Sequence, residues 1–385
     1  MSTSPTMETS INTNPTASAR PSFDYIPGLD GLRACAVLLV LIAHLGFSTA
    51  IPGGFGVTVF FFISGLLITR LLLAEHAQNG RIAVGRFYVR RLFRLYPALV
   101  VAVALAALVF SAAGGIMGWG KVFSALFYYA NYYGIFVHFG QGRDGFDPFS
   151  ILWSLAVEEQ YYLVFPFICV ALLAGTANLR RFSWVLAGSV ILVLVWRVIV
   201  HRHGGSSDYI YMATDTRIDS ILYGAWLALI LANDTQKHWR RFSASRLVQL
   251  VCLILLLACF VVRHPGFRDT LRYSLQGLAL MPLMTAICFT RSVTPLTRLL
   301  ETKPLRRVGG WSYSLYLYHP IAIVLAEIWW GPGSIGPQRI GWQTFPFFAL
   351  TAVLLSFVFA IASYNFVEKP FLRWRRRFGA HVVDN

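Results

Sequence analysis

Apolar runs of about 16–18 residues recur along this chain, Ala34–Ala50, Pro97–Ala113, Leu247–Val262 and Phe345–Ala362 among them, separated by short polar or basic connections. Each is long enough, or nearly so, to cross a hydrocarbon core as a helix. No water is available there to satisfy free peptide groups, so helix is the expected state. From Tyr25 onward the pattern predicts ten spans, at roughly 34–50, 55–73, 95–116, 151–174, 183–201, 217–233, 247–263, 272–290, 311–330 and 344–366. The expected fold class is therefore all-α, a polytopic integral membrane protein of about ten transmembrane helices. Residues 1–22 are rich in Ser, Thr, Asn and Pro and are expected to be a disordered tail. They carry too little positive charge for a cleaved signal peptide. No internal repeat, low-complexity linker or appended soluble domain is apparent.

Charge orients the pattern. With the N-terminus inside, the cytoplasmic connections hold Arg81, Arg86, Arg90, Arg91 and Arg94, then Arg180 and Arg181, then Lys237, Arg240, Arg241 and Arg246. Arg291, Arg298, Lys303, Arg306 and Arg307 follow, and residues 373–385 form a basic cytoplasmic tail. The opposite side keeps scattered cations such as Lys121, Arg143, Arg202, Arg268 and Arg339. Basic residues collect in cytoplasmic loops, so both termini are expected to be cytoplasmic, in a bacterial cytoplasmic membrane. Met117–Ser150 is placed outside as an interfacial or re-entrant segment, because a single crossing there would reverse every later loop. Its aromatic stretch from Phe123 to Phe139 suits an interfacial anchor or a surface that stacks on sugar rings.

Composition narrows the class. The 385 residues are 56% hydrophobic and 13% charged, with a mean hydropathy of +0.59; a soluble chain carries roughly 25% charged residues. The formal net charge of +16 follows from the loop rule, so nucleic acid is excluded as a partner. Cys35, Cys169, Cys252, Cys259 and Cys288 all lie inside apolar runs without CxxC spacing. They read as small core residues, with no metal site and no disulfide frame.

Polar residues inside the apolar runs are the candidates for chemistry. The first span opens LDGLRACAVLLVLIAH, with Arg33 and His44 ten residues apart. Eleven helical steps return them to nearly one face, about 16 Å apart along the axis. An ionisable group at the depth of His44 is either a functional residue or a neutral imidazole bonded to a neighbouring helix. In GGFGVTVFFFISGLLI, Ser64, Gly65 and the glycines at 53, 54 and 56 allow close backbone approach to a helix or a ligand. FYVRRLFRLYP sets Arg91 and Arg94 on one helix face, flanked by Arg86 and Arg90, and guanidinium forks suit phosphate oxygens. WSLAVEEQYYLVFP aligns Glu158, Tyr162 and Pro166 on one face, with Glu159 beside them. DTRIDSILYG adds Asp215, Arg217 and Asp219, and SYSLYLYHP adds His319. Buried carboxylates need partners or water, so these groups are either ion-pair networks or a polar site for a hydroxyl-rich acceptor. His319 reads as packing or as a support for the site.

These segments, in order, with FFFISGLLI, RRLFRLYP and YNFVEKPF, resemble the membrane acyltransferase 3 family over about Tyr25–Phe371, almost the whole chain. The resemblance makes 23–372 a membrane acyltransferase domain. It implies an integral-membrane O-acyltransferase that moves an acyl group, usually acetyl, from cytoplasmic acyl-coenzyme A to sugars of surface polysaccharides, Nod factors or macrolides. By position it implies that His44 is the catalytic residue and that Arg33, Arg90, Arg91 and Arg94, with Ser64 and Gly65, serve the donor. Cys35 stands where the family usually has a small residue such as Gly. Within this sequence no hydrolase-like extracytoplasmic domain follows, so the chain is expected to act alone, as a homo-oligomer, or with a separate extracytoplasmic partner.

Together these readings give an expected mechanism without a metal. The phosphates of acetyl-coenzyme A sit at the arginines, and the pantetheine arm threads inward. Neutral His44 then acts as general base on an acceptor hydroxyl arriving from outside; an acyl-histidine intermediate stays open beside it. Glu158, Glu159, Tyr162, Asp215, Arg217, Asp219 and His319 form the acceptor or proton network. A transporter of a lipid-linked sugar or small molecule is the competing class, disfavoured by the lack of paired half-repeats. A binding or regulatory protein that keeps the scaffold without the chemistry is a further alternative. The sequence names neither the acceptor nor the acyl chain length.

Overall fold

The computed structural model describes residues 25–112, 118–138, 147–174, 178–290, 294–331, 340–341 and 343–375. The expected 1–22 tail, most of the 373–385 tail and the 139–146 part of the outer segment lie outside the described residues. Among the described residues every regular element is helical. The long helices are α1 (Leu29–Ile42), α2 (Gly53–Asn79), α3 (Val84–Ala112), α4 (Leu152–Leu173) and α5 (Leu179–Arg202). They continue with α6 (Asp219–Asn233), α7 (Arg246–Val261), α8 (Leu271–Cys288), α9 (Ser312–Trp330) and α10 (Phe345–Ser363).

Each predicted apolar segment is helical, but fewer than ten of the helices are by themselves long and apolar enough to cross a membrane. Among the described residues six helices are long and apolar enough to span, or up to seven if α7 joins the short helix His238–Ala244, which meets it at 67°. The shortfall has physical causes. α6 has only 15 residues, whereas α8 and α9 are long enough but diluted by Tyr, Ser, Gln, His and Pro. α3 begins at Val84, well before the predicted 95, so its first turns carry Arg86 and Arg90 as well as Arg91 and Arg94, which the sequence sets on one helix face. Among its described residues the outer segment shows short helices, Trp119–Leu126 and Ala130–Tyr133, with a π turn at Gly134–His138.

Apolar surface turns outward as in a chain solvated by lipid. Ile191 and Leu192 on α5, Leu250 and Leu253 on α7, and Leu350 and Leu354 on α10 are all exposed. Contiguous apolar surface of that extent would aggregate in water. The interior is held by close backbone approach. A Cβ on Gly65 would land on the Ile221 carbonyl oxygen, and one on Gly224 would land on that of Phe62. These glycines let α2 and α6 pack backbone to backbone, as small residues do in membranes. Gly65→Val should therefore lower stability by about 3 kcal/mol, the upper part of the overpacking range. A fall in the thermal midpoint of the detergent-solubilised protein would register it, and an unchanged midpoint would refute the packing role.

Candidate active site

α1 does not end as a plain helix. Its last turn widens into a π turn, Ala43–Phe47, closed by Gly46 at φ 105°, a left-handed conformation that glycine adopts without strain. Such π turns recur at functional sites because they re-aim side chains. Here the turn carries His44, whose Nδ1 lies 2.9 Å from the Val40 carbonyl and 3.3 Å from His319 Nε2. His319, fully buried on α9, sets its own Nδ1 2.8 Å from the Tyr316 carbonyl and 3.2 Å from that of Leu315. A carbonyl oxygen only accepts, so both Nδ1 atoms carry protons. His319 Nε2 is then an acceptor for His44 Nδ1–H, and the basic nitrogen of His44 is Nε2. His319, expected as packing or as a support for the site, thus stands as a second acceptor beside the Val40 carbonyl for His44 Nδ1–H.

His44 lines a cavity of about 690 Å³ between α1, α2, α4 and α8, walled by Trp153, Tyr211, Tyr273, Gln276 and Tyr316. A second, narrower cavity of about 130 Å³ runs from Arg33, Arg91 and Arg94 past Ser64 and Glu158 to Tyr316. Tyr316 and Val57 line both. The Tyr316 hydroxyl lies 2.5 Å from Ser154 Oγ and donates to the Ile151 carbonyl at 3.1 Å, while its ring packs beside His319. It forms the partition between an arginine-lined slot and the histidine cavity. SYSLYLYHP displayed this tyrosine, but a phenol in an apolar helix gives no signal until its neighbours are known.

The narrow slot is built from groups in one face relationship. The Arg91 guanidinium stacks on the Tyr162 ring at 3.6 Å. Tyr162 donates its phenol proton to Glu158 and accepts from Ser64, because a carboxylate can only accept. Glu159 lies next to this chain, with its Oε1 buried and without a hydrogen-bond partner.

Two expected donor residues are elsewhere. Arg90 turns 100° from Arg91 around α3 and pairs with Glu75 at 3.0 Å, outside the slot. Gly65 serves the α2–α6 contact, whereas Ser64, one residue earlier, faces the slot.

The expected acceptor network also divides. Asp219 forms a two-pronged ion pair with Arg197, at 3.1 and 2.7 Å, supported by Ser274, with both charged partners fully buried. Asp215 accepts from Trp196 Nε1 at 2.6 Å, Tyr209 at 2.8 Å and Tyr132 at 3.3 Å. Burial, and then the bond to Asp215, push the Tyr209 phenol up, so it remains a donor. Neither carboxylate lines either cavity. Arg217 is fully buried behind Tyr211 and Tyr273, 3.8 Å from the Tyr273 ring. The partner missed from sequence is Arg197, although its signal was present: one arginine within the apolar run VLVWRVIV. Among the described residues no group of three or more His, Cys, Asp or Glu is placed to hold a metal ion.

A family model described as an acyltransferase domain matches residues 26–364. The chain is 31% identical over 365 residues to a peptidoglycan O-acetyltransferase of Listeria monocytogenes, covering 92% of this chain and 57% of that protein. A Staphylococcus aureus protein, provisionally named an O-acetyltransferase, is 33% identical over 91% of this chain and 59% of its own length. A Bacillus subtilis protein, provisionally named a peptidoglycan O-acetyltransferase, is 33% identical over 93% of this chain and 57% of its own. The chain thus spans under three fifths of the length of these relatives. No solved structure matches it.

Proposed function

Because this chain belongs to the membrane acyltransferase 3 family, we propose that it is a multi-pass O-acetyltransferase moving an acetyl group from acetyl-coenzyme A to a hydroxyl of a sugar-containing acceptor. The observation that carries this reading is the pair of cavities meeting at Tyr316, one lined by Arg33, Arg91 and Arg94 and the other by His44. The arginine asymmetry of the connections supports a cytoplasmic donor side, with both termini in the cytoplasm of a bacterium. The narrow slot suits an extended pantetheine chain and is too small for a nucleotide, so the donor's phosphates belong at its arginine mouth. The larger cavity suits a sugar, with Trp153, Tyr211 and Tyr273 as stacking faces.

His44 Nε2 takes the proton of the acceptor hydroxyl as its oxygen attacks the thioester carbonyl. The carbon–sulfur bond breaks, and the imidazolium returns a proton to the departing thiolate. The His319 acceptor steadies Nδ1–H while charge builds on the His44 ring. Tyr316, at the junction of the cavities, excludes water from the thioester until an acceptor is present.

Purified protein with radiolabelled acetyl-coenzyme A tests the scheme. Arg91→Ala and Arg94→Ala should each raise KM for the donor roughly 10-fold or more, the cost of a lost charge-assisted hydrogen bond. Arg90→Gln should leave KM near that of the parent. Equal effects at all three positions would assign the arginines to topology alone. Movement of an unmodified substrate across a vesicle without consumption of the donor would establish transport instead.

A further inference from the structure

Outer connections of membrane proteins are depleted of arginine, yet the connection from α7 to α8 carries Arg263 and Arg268, and Arg272 follows at the start of α8. All three line the 690 Å³ cavity that holds His44. Topology gives no reason for cations on this side, and the protein supplies them with few counter-charges. Arg263 donates to the Thr49 carbonyl at 2.9 Å and Arg272 to the Tyr273 hydroxyl at 2.7 Å, both neutral acceptors. Arg272 Nε has no partner at all. Among the described residues none of the three forms an ion pair.

The carboxylates on the cavity wall are Asp208 and Asp269, and Asp269 is already engaged by Ser207 at 2.8 Å and His201 at 3.6 Å. Behind the wall the balance tilts further. The Tyr273 ring is flanked by the guanidinium groups of Arg197 at 5.1 Å, Arg217 at 3.8 Å and Arg272 at 4.8 Å. Asp219 answers only Arg197, while Arg217 keeps Nε and one terminal nitrogen without partners. Three guanidinium groups therefore face two carboxylates on the cavity wall, and behind it Arg197 and Arg217 have Asp219 between them. A low-dielectric wall focuses that excess into the cavity.

We infer that the acceptor is anionic, and that a carboxylate or phosphate group on it docks at Arg263, Arg268 and Arg272 to hold its hydroxyl at His44. This rests on reading the His44 cavity as the acceptor side. Arg272, deepest of the three and beside a stacking tyrosine, sets the position of the anion. Arg263 and Arg268, exposed at the rim, draw it in.

The test uses the full chain in nanodiscs of zwitterionic phosphatidylcholine, so that bound anion is not lipid. Binding of tetragalacturonate and of neutral cellotetraose is compared, with inorganic pyrophosphate as competitor. The acidic tetrasaccharide should bind at least about 10-fold more tightly than the neutral one, the worth of one charge-assisted hydrogen bond. R263Q/R268Q/R272Q should abolish that preference, and the triple lysine variant should restore most of it. Displacement by pyrophosphate at lower concentration than by galacturonate identifies phosphate as the favoured group, and the reverse identifies carboxylate. Equal binding of the acidic and neutral probes, or a preference that survives in the glutamine variant, overturns the inference. Acetyl-coenzyme A binding by each variant reports that it is folded. Charge-selective binding without any consumption of acetyl-coenzyme A would sink the transferase reading and keep this one. Consumption without charge selectivity would do the opposite.

Discussion

His44→Ala should lower kcat for acetyl transfer by roughly 10²–10⁴-fold, the usual contribution of a positioned general base, while acetyl-coenzyme A binding stays near that of the parent. The two effects separate because the donor's charges are proposed to sit at Arg91 and Arg94, which line the other cavity and not the one that holds His44. His319→Phe gives the companion result. It keeps the volume but removes the acceptor 3.3 Å from His44 Nδ1, so kcat and its pH profile should shift with little change in either KM. A fully active His44→Ala protein would end the general-base scheme. An unaltered pH profile in His319→Phe would return that residue to packing.

Period and composition made the helical class legible, and the motif order made the family legible, because both are local properties of the chain. The membrane count was less legible. α8 and α9 spend Gln276, Tyr316 and His319 on the site, which dilutes the apolar signal that defines a span. The first-span pair was visible as two ionisable groups on one helical face. What no spacing could reveal was the partner of each group. Arg90 and Arg91 are chemically identical neighbours, and only packing sends one to Glu75 and the other to Tyr162. Tyr316 was equally hidden, since its role comes from lying on the walls of two cavities built by helices far apart in the sequence. Of the cations at the α7–α8 connection only Arg268 was in view, as a scattered exception to the charge rule; that Arg263 and Arg272 line the same cavity is a property of the fold.

Asp219→Ala should destabilise the protein by about 3–5 kcal/mol, because it strands Arg197 as an unpaired charge in the interior. The pair is fully buried and hydrogen-bonded through both terminal nitrogens, with Ser274 closing the set. Removing both charges together is a different experiment. R197M/D219L leaves no stranded ion, and its stability should return to within about 1–2 kcal/mol of the parent. Thermal and denaturant midpoints of the solubilised protein measure both. This comparison decides between the two readings that the DTRIDSILYG motif left open. If Asp219 oriented the acceptor, the single variant would fold normally and lose transfer, and the double variant would be equally inactive. With Asp219 as the counter-charge of Arg197, the double variant regains stability and a large part of its turnover together. The carboxylate then contributes to catalysis only by holding α5, α6 and α8 around the wall that faces His44.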